Sequence, residues 1–217
     1  MLSNVLALIE AAGEQIEEVA RMYQASLQAQ APSGRLQVAI KNVLENQRSA
    51  LDHTAHAITG RWGLKGRKTY FPSAEVEARF PSELERHMPG VAAGNAEVAA
   101  AIERHQPYQP GHSWMQDLYS LTNENKHREL TPQIRAETRM RQAGPVTWDP
   151  GAVIFGSGVS IGGEQIDVRT QRTAGTVELL YIDWLFRDPP KSALAVLRTI
   201  QSGLVAALDD IYAVTGL

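Results

Sequence analysis

Ile134-Arg135-Ala136-Glu137-Thr138-Arg139-Met140-Arg141 decides the fold class. Small or apolar residues alternate there with charged ones at a period of two, which predicts a half-buried β-strand. Val153-Ile154-Phe155, Val159-Ser160-Ile161, Gln165 to Thr170 and Val177 to Phe186 follow, separated by glycine-bearing turns such as Gly162-Gly163. These runs predict a small antiparallel meander at about 132–187. Everything else in the chain reads differently.

Before the meander the spacing is helical. Leu2, Ile9, Ile16 and Tyr23 stand one heptad apart, with Val5, Ala12 and Val19 offset by three. That row predicts a helix from about Ser3 to Gln30 packed lengthwise on another. Ala31-Pro32-Ser33-Gly34 breaks it, and a second helix is expected from about Arg35 to Thr59, ended by Gly60. The short connection makes the two an antiparallel hairpin. Residues 61–94 are punctuated by glycine and proline, with short helical pieces around Ala74 to Phe80 and Ser82 to His87. Longer helices are expected at about Asn95 to His105 and Ser113 to Leu130. After Asp188-Pro189-Pro190, the residues Leu194, Leu197, Ile200, Leu204, Leu208 and Ile211 predict a closing helix to about Val214. The order of helices, strands and one helix is an α+β arrangement, mainly a helical bundle, and one domain over 1–217 is expected. Within it, 1–130 and 190–217 form the helical part and the meander an appendage.

Composition narrows the function. A net charge of −3 and a pI near 6.1 argue against a surface that coats nucleic acid broadly. Cysteine is absent, which removes disulfides, thiolate metal sites and cysteine nucleophiles. The first residues lack the basic region of a signal peptide, and Arg198, Asp209 and Asp210 interrupt the most apolar late segment. A cytoplasmic protein without a membrane span is expected.

Two stretches concentrate the reactive side chains: Asn46-Gln47-Arg48-Ser49-Ala50-Leu51-Asp52-His53-Thr54-Ala55-His56 and Asn123-Glu124-Asn125-Lys126-His127-Arg128. On a helical wheel Asn46 and His53 share a stripe with Ala39, Val43, Ala50 and Ala57, so both are expected at a buried seam. Asp52 and His56 fall on the solvent side unless a loop covers them, and Arg48 lies between. In the second stretch Asn125, Arg128 and Lys126 are expected to point toward the bundle, and Asn123 and His127 outward. A site built from Asn46, Arg48, Asp52 and His53 against Asn125, Lys126, His127 and Arg128 would be cationic on balance and suit a phosphate-bearing ligand, such as RNA or a nucleotide.

Arg48-Ser49-Ala50-Leu51-Asp52-His53 resembles the R-x-x-x-x-H motif of HEPN domains, all-helical modules that include many RNases of toxin and antiphage systems. The resemblance implies a homodimer with a cleft between protomers. In it Arg48 would stabilise phosphate and His53 would move a proton in metal-independent RNA cleavage; in such a nuclease Lys126 would hold phosphate beside Arg48, and His127 is the alternative to His53. The two stretches also resemble segments of uncharacterised bacterial proteins that share N-x-R-S-A-L-D-H, L-x-N-x-x-K-H-R and a preceding Q-P-Y, here Asn46 to His53, Leu121 to Arg128 and Gln106-Pro107-Tyr108. That likeness implies no function. Two other readings stand beside the nuclease. The polar stretches can form an internal lock in an interaction or regulatory protein, with Arg135, Arg139 and Arg141 facing the partner. Alternatively, His53 with His56 and Glu124 with His127 can hold a metal, although a di-iron bundle needs a second E-x-x-H pair that is absent; no resident metal or cofactor is expected.

Overall fold

The computed structural model describes residues 1–26, 32–64, 68–127, 133–187 and 190–217, the side chains of 124–127 excepted. It is an α+β chain, mainly helical, in two compact units: 1–134 with 185–217, and 135–184.

In the first unit, α1 (Ser3–Ser26) buries Val5, Ile9, Ala12, Ile16, Val19 and Tyr23, the row the heptad spacing marks. α2 (Gly34–Trp62) starts on Ser33, whose hydroxyl accepts the Leu36 N–H. The hairpin is antiparallel, with Asn4 beside His53, Gln15 beside Asn46 and Glu18 beside Arg35. α2 does not end at Gly60. It runs on to Gly63, because Gly60 has open space around it while Gly63 sits where a Cβ would lie 2.7 Å from the Pro89 carbonyl oxygen. A Cβ on Gly94 would lie 2.0 Å from the Trp62 carbonyl oxygen, so two stretches of backbone touch directly at this junction.

A 3₁₀ turn (Glu77–Arg79) leads into α3 (Phe80–His87), α4 (Val91–Gly94), α5 (Ala96–Glu103) and α6 (Ser113–His127). The Asn95 side chain caps α5 by accepting the N–H groups of Glu97 and Val98. α7 (Ala193–Thr215) packs on α1, α2, α5 and α6 and carries Leu197, Ile200, Leu204, Leu208 and Ile211 into the core. No helix among the described residues is long and apolar enough to cross a membrane.

The sheet has order β2–β1–β5, from β1 (Gln133–Ala143), β2 (Val146–Trp148) and β5 (Val177–Phe186). β1 and β2 are antiparallel, with Arg141 opposite Trp148 and Ala143 opposite Val146. β3 (Ser160–Ile161) and β4 (Glu164–Gln165) form a separate two-residue ribbon. Val153-Ile154-Phe155 has no regular structure and 168–170 is a turn, so neither run is a strand. Gln171 holds them there: its side chain accepts the Phe155 N–H and donates to the carbonyls of Phe155 and Val168. Ala143, Trp148, Ile161 and Ile166 make a small core.

The arginines of β1 do not all face outward. Arg135 and Arg141 have side chains only 16% and 17% exposed. Arg135 pairs with Glu137, while Arg141 donates to the carbonyls of Thr170 and Gln171. A sheet this small has few apolar side chains, so arginine stems fill in as cover. Of the three, only Arg139 is exposed.

Candidate functional site

α2 presents its polar residues to three different neighbours. Toward α1, the Asn46 amide donates to Gln15 at 2.9 Å, and the Asn4 amide donates to Nδ1 of His53 at 3.2 Å. His53 is exposed, not buried: its stripe reaches α1 only at the rim of the hairpin. The interior amide is Gln47, with no exposed surface. Its Nε2 donates to the Leu197 carbonyl and to Gln201, and Gln201 in turn donates to the Ile9 carbonyl. One chain of amides thus joins α2, α7 and α1.

Toward α6, Arg48 and Asp52 form a closed arrangement. Arg48 Nε donates to Asp52 at 3.4 Å, and the guanidinium carbon lies 3.4 Å from the centroid of the Tyr119 ring. The other Asp52 oxygen accepts the Phe71 N–H at 3.0 Å. The Tyr119 hydroxyl donates to the Phe71 carbonyl. A loop therefore does cover Asp52, which is why the wheel alone leaves it on the solvent side. Burial pushes the Tyr119 hydroxyl pKa up, with Arg48 opposing and Asp52 adding, so it stays a neutral donor.

Gln106 holds the same segment from the other side. Its carbonyl accepts the Ala74 N–H at 2.8 Å, and its amide donates to the Pro72 and Ile102 carbonyls. Gln106 is fully buried, as are Phe71 and Ala74 to within 1%. Residues 71–74 belong to no helix or sheet, and their backbone polar groups would be costly to bury alone. Asp52, Tyr119 and Gln106 supply the missing partners. One donor is left over: Arg48 Nη1 is buried and has no partner among the described residues.

Toward solvent, Ser49, Asp52, His53 and His56 line an open depression. Arg48 does not join them. Five residues on an α-helix turn the direction by about 140°, so Arg48 reaches α6 while His53 reaches α1. The predicted catalytic pair is not brought together. On α6, Tyr119 sits about one turn before Asn123, so the first polar stretch meets the helix that carries the second. Asn123 is exposed. The side chains of Asn125, Lys126 and His127, and all of Arg128, lie outside the described residues. Among the described residues, no three histidine, aspartate or glutamate side chains cluster as a metal would need.

A further polar group joins α5 to α7. Asp210 takes three hydrogen bonds from Arg104 at 2.9–3.2 Å and one from His105 Nε2 at 2.8 Å. Partial burial pushes the Asp210 carboxyl up, but the bonds from His105 and Arg104 outweigh it and hold the group below its usual range. The His105 ring meets that of His112 edge to face at 4.9 Å. Neither Gln47, Gln106, Tyr119 nor this group belongs to the predicted site. Gln106 had a signal, since it opens the Q-P-Y stretch; Tyr119 and Asp210 had none without the third dimension.

Compared with known protein families, curated proteins and solved structures, the chain matches none.

Proposed function

We propose that the chain is a non-catalytic interaction or regulatory protein whose α2 polar residues act as an internal lock. The carrying observation is where these groups direct their hydrogen bonds. Asp52, Tyr119 and Gln106 bond the backbone of 71–74, and Arg48 is held between Asp52 and the Tyr119 ring. Groups so engaged are not free for a substrate, and satisfied buried networks favour one arrangement of the chain. The motif residues Arg48 and Asp52 and the Q-P-Y residue Gln106 thus share one structural task.

The test combines two measurements. Asp52→Asn, Tyr119→Phe and Gln106→Leu should each lower the melting temperature and speed hydrogen exchange at 71–74. The wild-type protein should leave RNA intact without added metal. RNA cleavage lost in His53→Ala with the fold retained would replace this reading with the nuclease.

One observation favours a second reading, a phosphate-bearing ligand such as RNA or a nucleotide. Arg48 Nη1 is a cationic donor with its bonding capacity unused, and guanidinium suits phosphate. Opening of the 71–74 segment would be needed to reach it. Phosphate-induced loosening of that segment, seen as faster exchange there, would support this reading.

A further inference from the structure

A groove of about 500 Å³ runs between α7 and the start of α6, away from the Arg48 network. Trp114 lies almost wholly buried beneath it, seated against the α7 backbone at Gly203, and the half-buried Gly203 and exposed Ala206 give the apolar surface. Arg198, Thr199, Ser202 and His112 supply the polar side. Arg198 brings a positive charge to that side, and the hydroxyls and the imidazole can each donate beside it.

Each donor can be specified. Trp114 Nε1 donates to Nδ1 of His112 at 3.4 Å, and an indole N–H only donates. Nδ1 is therefore the acceptor of a neutral imidazole, which puts the proton of His112 on Nε2. Burial, with the neighbouring His105, holds His112 below its ordinary pKa and keeps that form at neutral pH. Arg198 is half exposed and meets only a long contact among the described residues, 3.5 Å to the exposed Glu17 of α1. Thr199 and Ser202 are exposed one turn of α7 apart, so both hydroxyls can turn toward one ligand. The first N–H groups of α6 lie at the same end, where a helix favours negative charge.

We propose that this groove binds a small organic oxyanion, its charge taken by Arg198, His112 and the α7 hydroxyls and its apolar body laid over Gly203 and Ala206. A phosphate monoester and a carboxylate share this chemistry. The proposal does not use Arg48, so its failure leaves the lock reading intact, and the reverse holds.

The experiment is an NMR titration of the full chain at neutral pH and low salt with phenyl phosphate, benzoate and inorganic phosphate. Phenyl phosphate or benzoate should give saturable shifts confined to Gly111–Trp114 and Arg198–Ala206, with a Kd of about 1 mM or tighter. Whichever of the two binds more tightly identifies the headgroup, and inorganic phosphate should bind more weakly than the preferred one. Arg198→Ala should weaken binding roughly tenfold to a hundredfold, as loss of a charged hydrogen bond does. Ser202→Phe, at an exposed position that tolerates bulk, should block it. Glu17→Gln, which removes the competing carboxylate, should strengthen it. Absence of saturable shifts with both organic anions overturns the proposal, as does binding that Arg198→Ala and Ser202→Phe both leave unchanged.

Discussion

The Asp52 carboxylate stands 3.0 Å from the peptide nitrogen of Phe71 while its other oxygen faces Arg48. One carboxylate thereby neutralises a partly buried guanidinium and satisfies a buried backbone donor. Replacing it should separate the two tasks. Asp52→Ala removes both and should cost about 3–5 kcal/mol, the range for breaking a buried ion pair. Asp52→Asn keeps an acceptor for Phe71 and should cost less, about 1–3 kcal/mol. Chemical denaturation of the two variants checks the order.

Tyr119→Phe leaves the ring under Arg48 and takes away only the hydroxyl. The Phe71 carbonyl then loses its donor. A loss of about 1–3 kcal/mol is expected, with faster amide exchange around residue 71 and unchanged helical circular dichroism.

Gln106→Leu keeps volume and removes three hydrogen bonds to backbone, at Pro72, Ala74 and Ile102. The Ile102 carbonyl belongs to a helix; the other two groups lie in the 71–74 segment. The cost should exceed that of Tyr119→Phe, at about 2–4 kcal/mol, because the buried Ala74 N–H is left without an acceptor. Thermal denaturation of the two variants side by side measures the difference.

Acid should destabilise the protein in two steps. His87 and His112 are both held below their ordinary values, chiefly by burial; Glu83 opposes this at His87, and His105 adds to it at His112. Below about pH 6.5 the unfolded chain protonates these histidines while the folded chain resists. Stability therefore falls as pH drops from 7 toward the folded values. Asp210 acts lower down: its contribution is present above about pH 3.9 and is lost as pH falls through its depressed folded value. Melting temperature measured against pH should show both falls, and His112→Asn should shrink the first.

Gly203→Ala tests the seat of Trp114. A Cβ there would come within 2.4–2.6 Å of the indole, so the ring or α7 must move. Alanine gains about 1 kcal/mol of helix propensity over glycine, but overpacking costs about 1–3 kcal/mol. A net loss of stability and a changed tryptophan fluorescence are expected.

Much of the helical unit is legible in the sequence because helical burial repeats at a fixed interval. The α1 row from Val5 to Tyr23 and the α7 row from Leu197 to Ile211 are buried as their spacing predicts. Gly60 misleads because a glycine in a helix is merely costly; only a close approach such as that at Gly63 makes it obligatory. The strand alternation at 134–141 marks β1, but which face is covered depends on partners far along the chain, Thr170 and Gln171 for Arg141. The burial of Asp52 and His53 is hard to read for a similar reason. A wheel ranks directions around one helix and knows nothing of a loop such as 71–74 that returns to cover Asp52.

The meeting of bare backbones at Gly63 and Gly94 has a consequence for ancestry. Surface charges can drift while the architecture survives, but no side chain fits where Gly94 meets the Trp62 carbonyl. Distant kin of this chain should be recognisable by that pair of glycines, one just past the long second helix and one ahead of an asparagine cap, after other likeness has worn away.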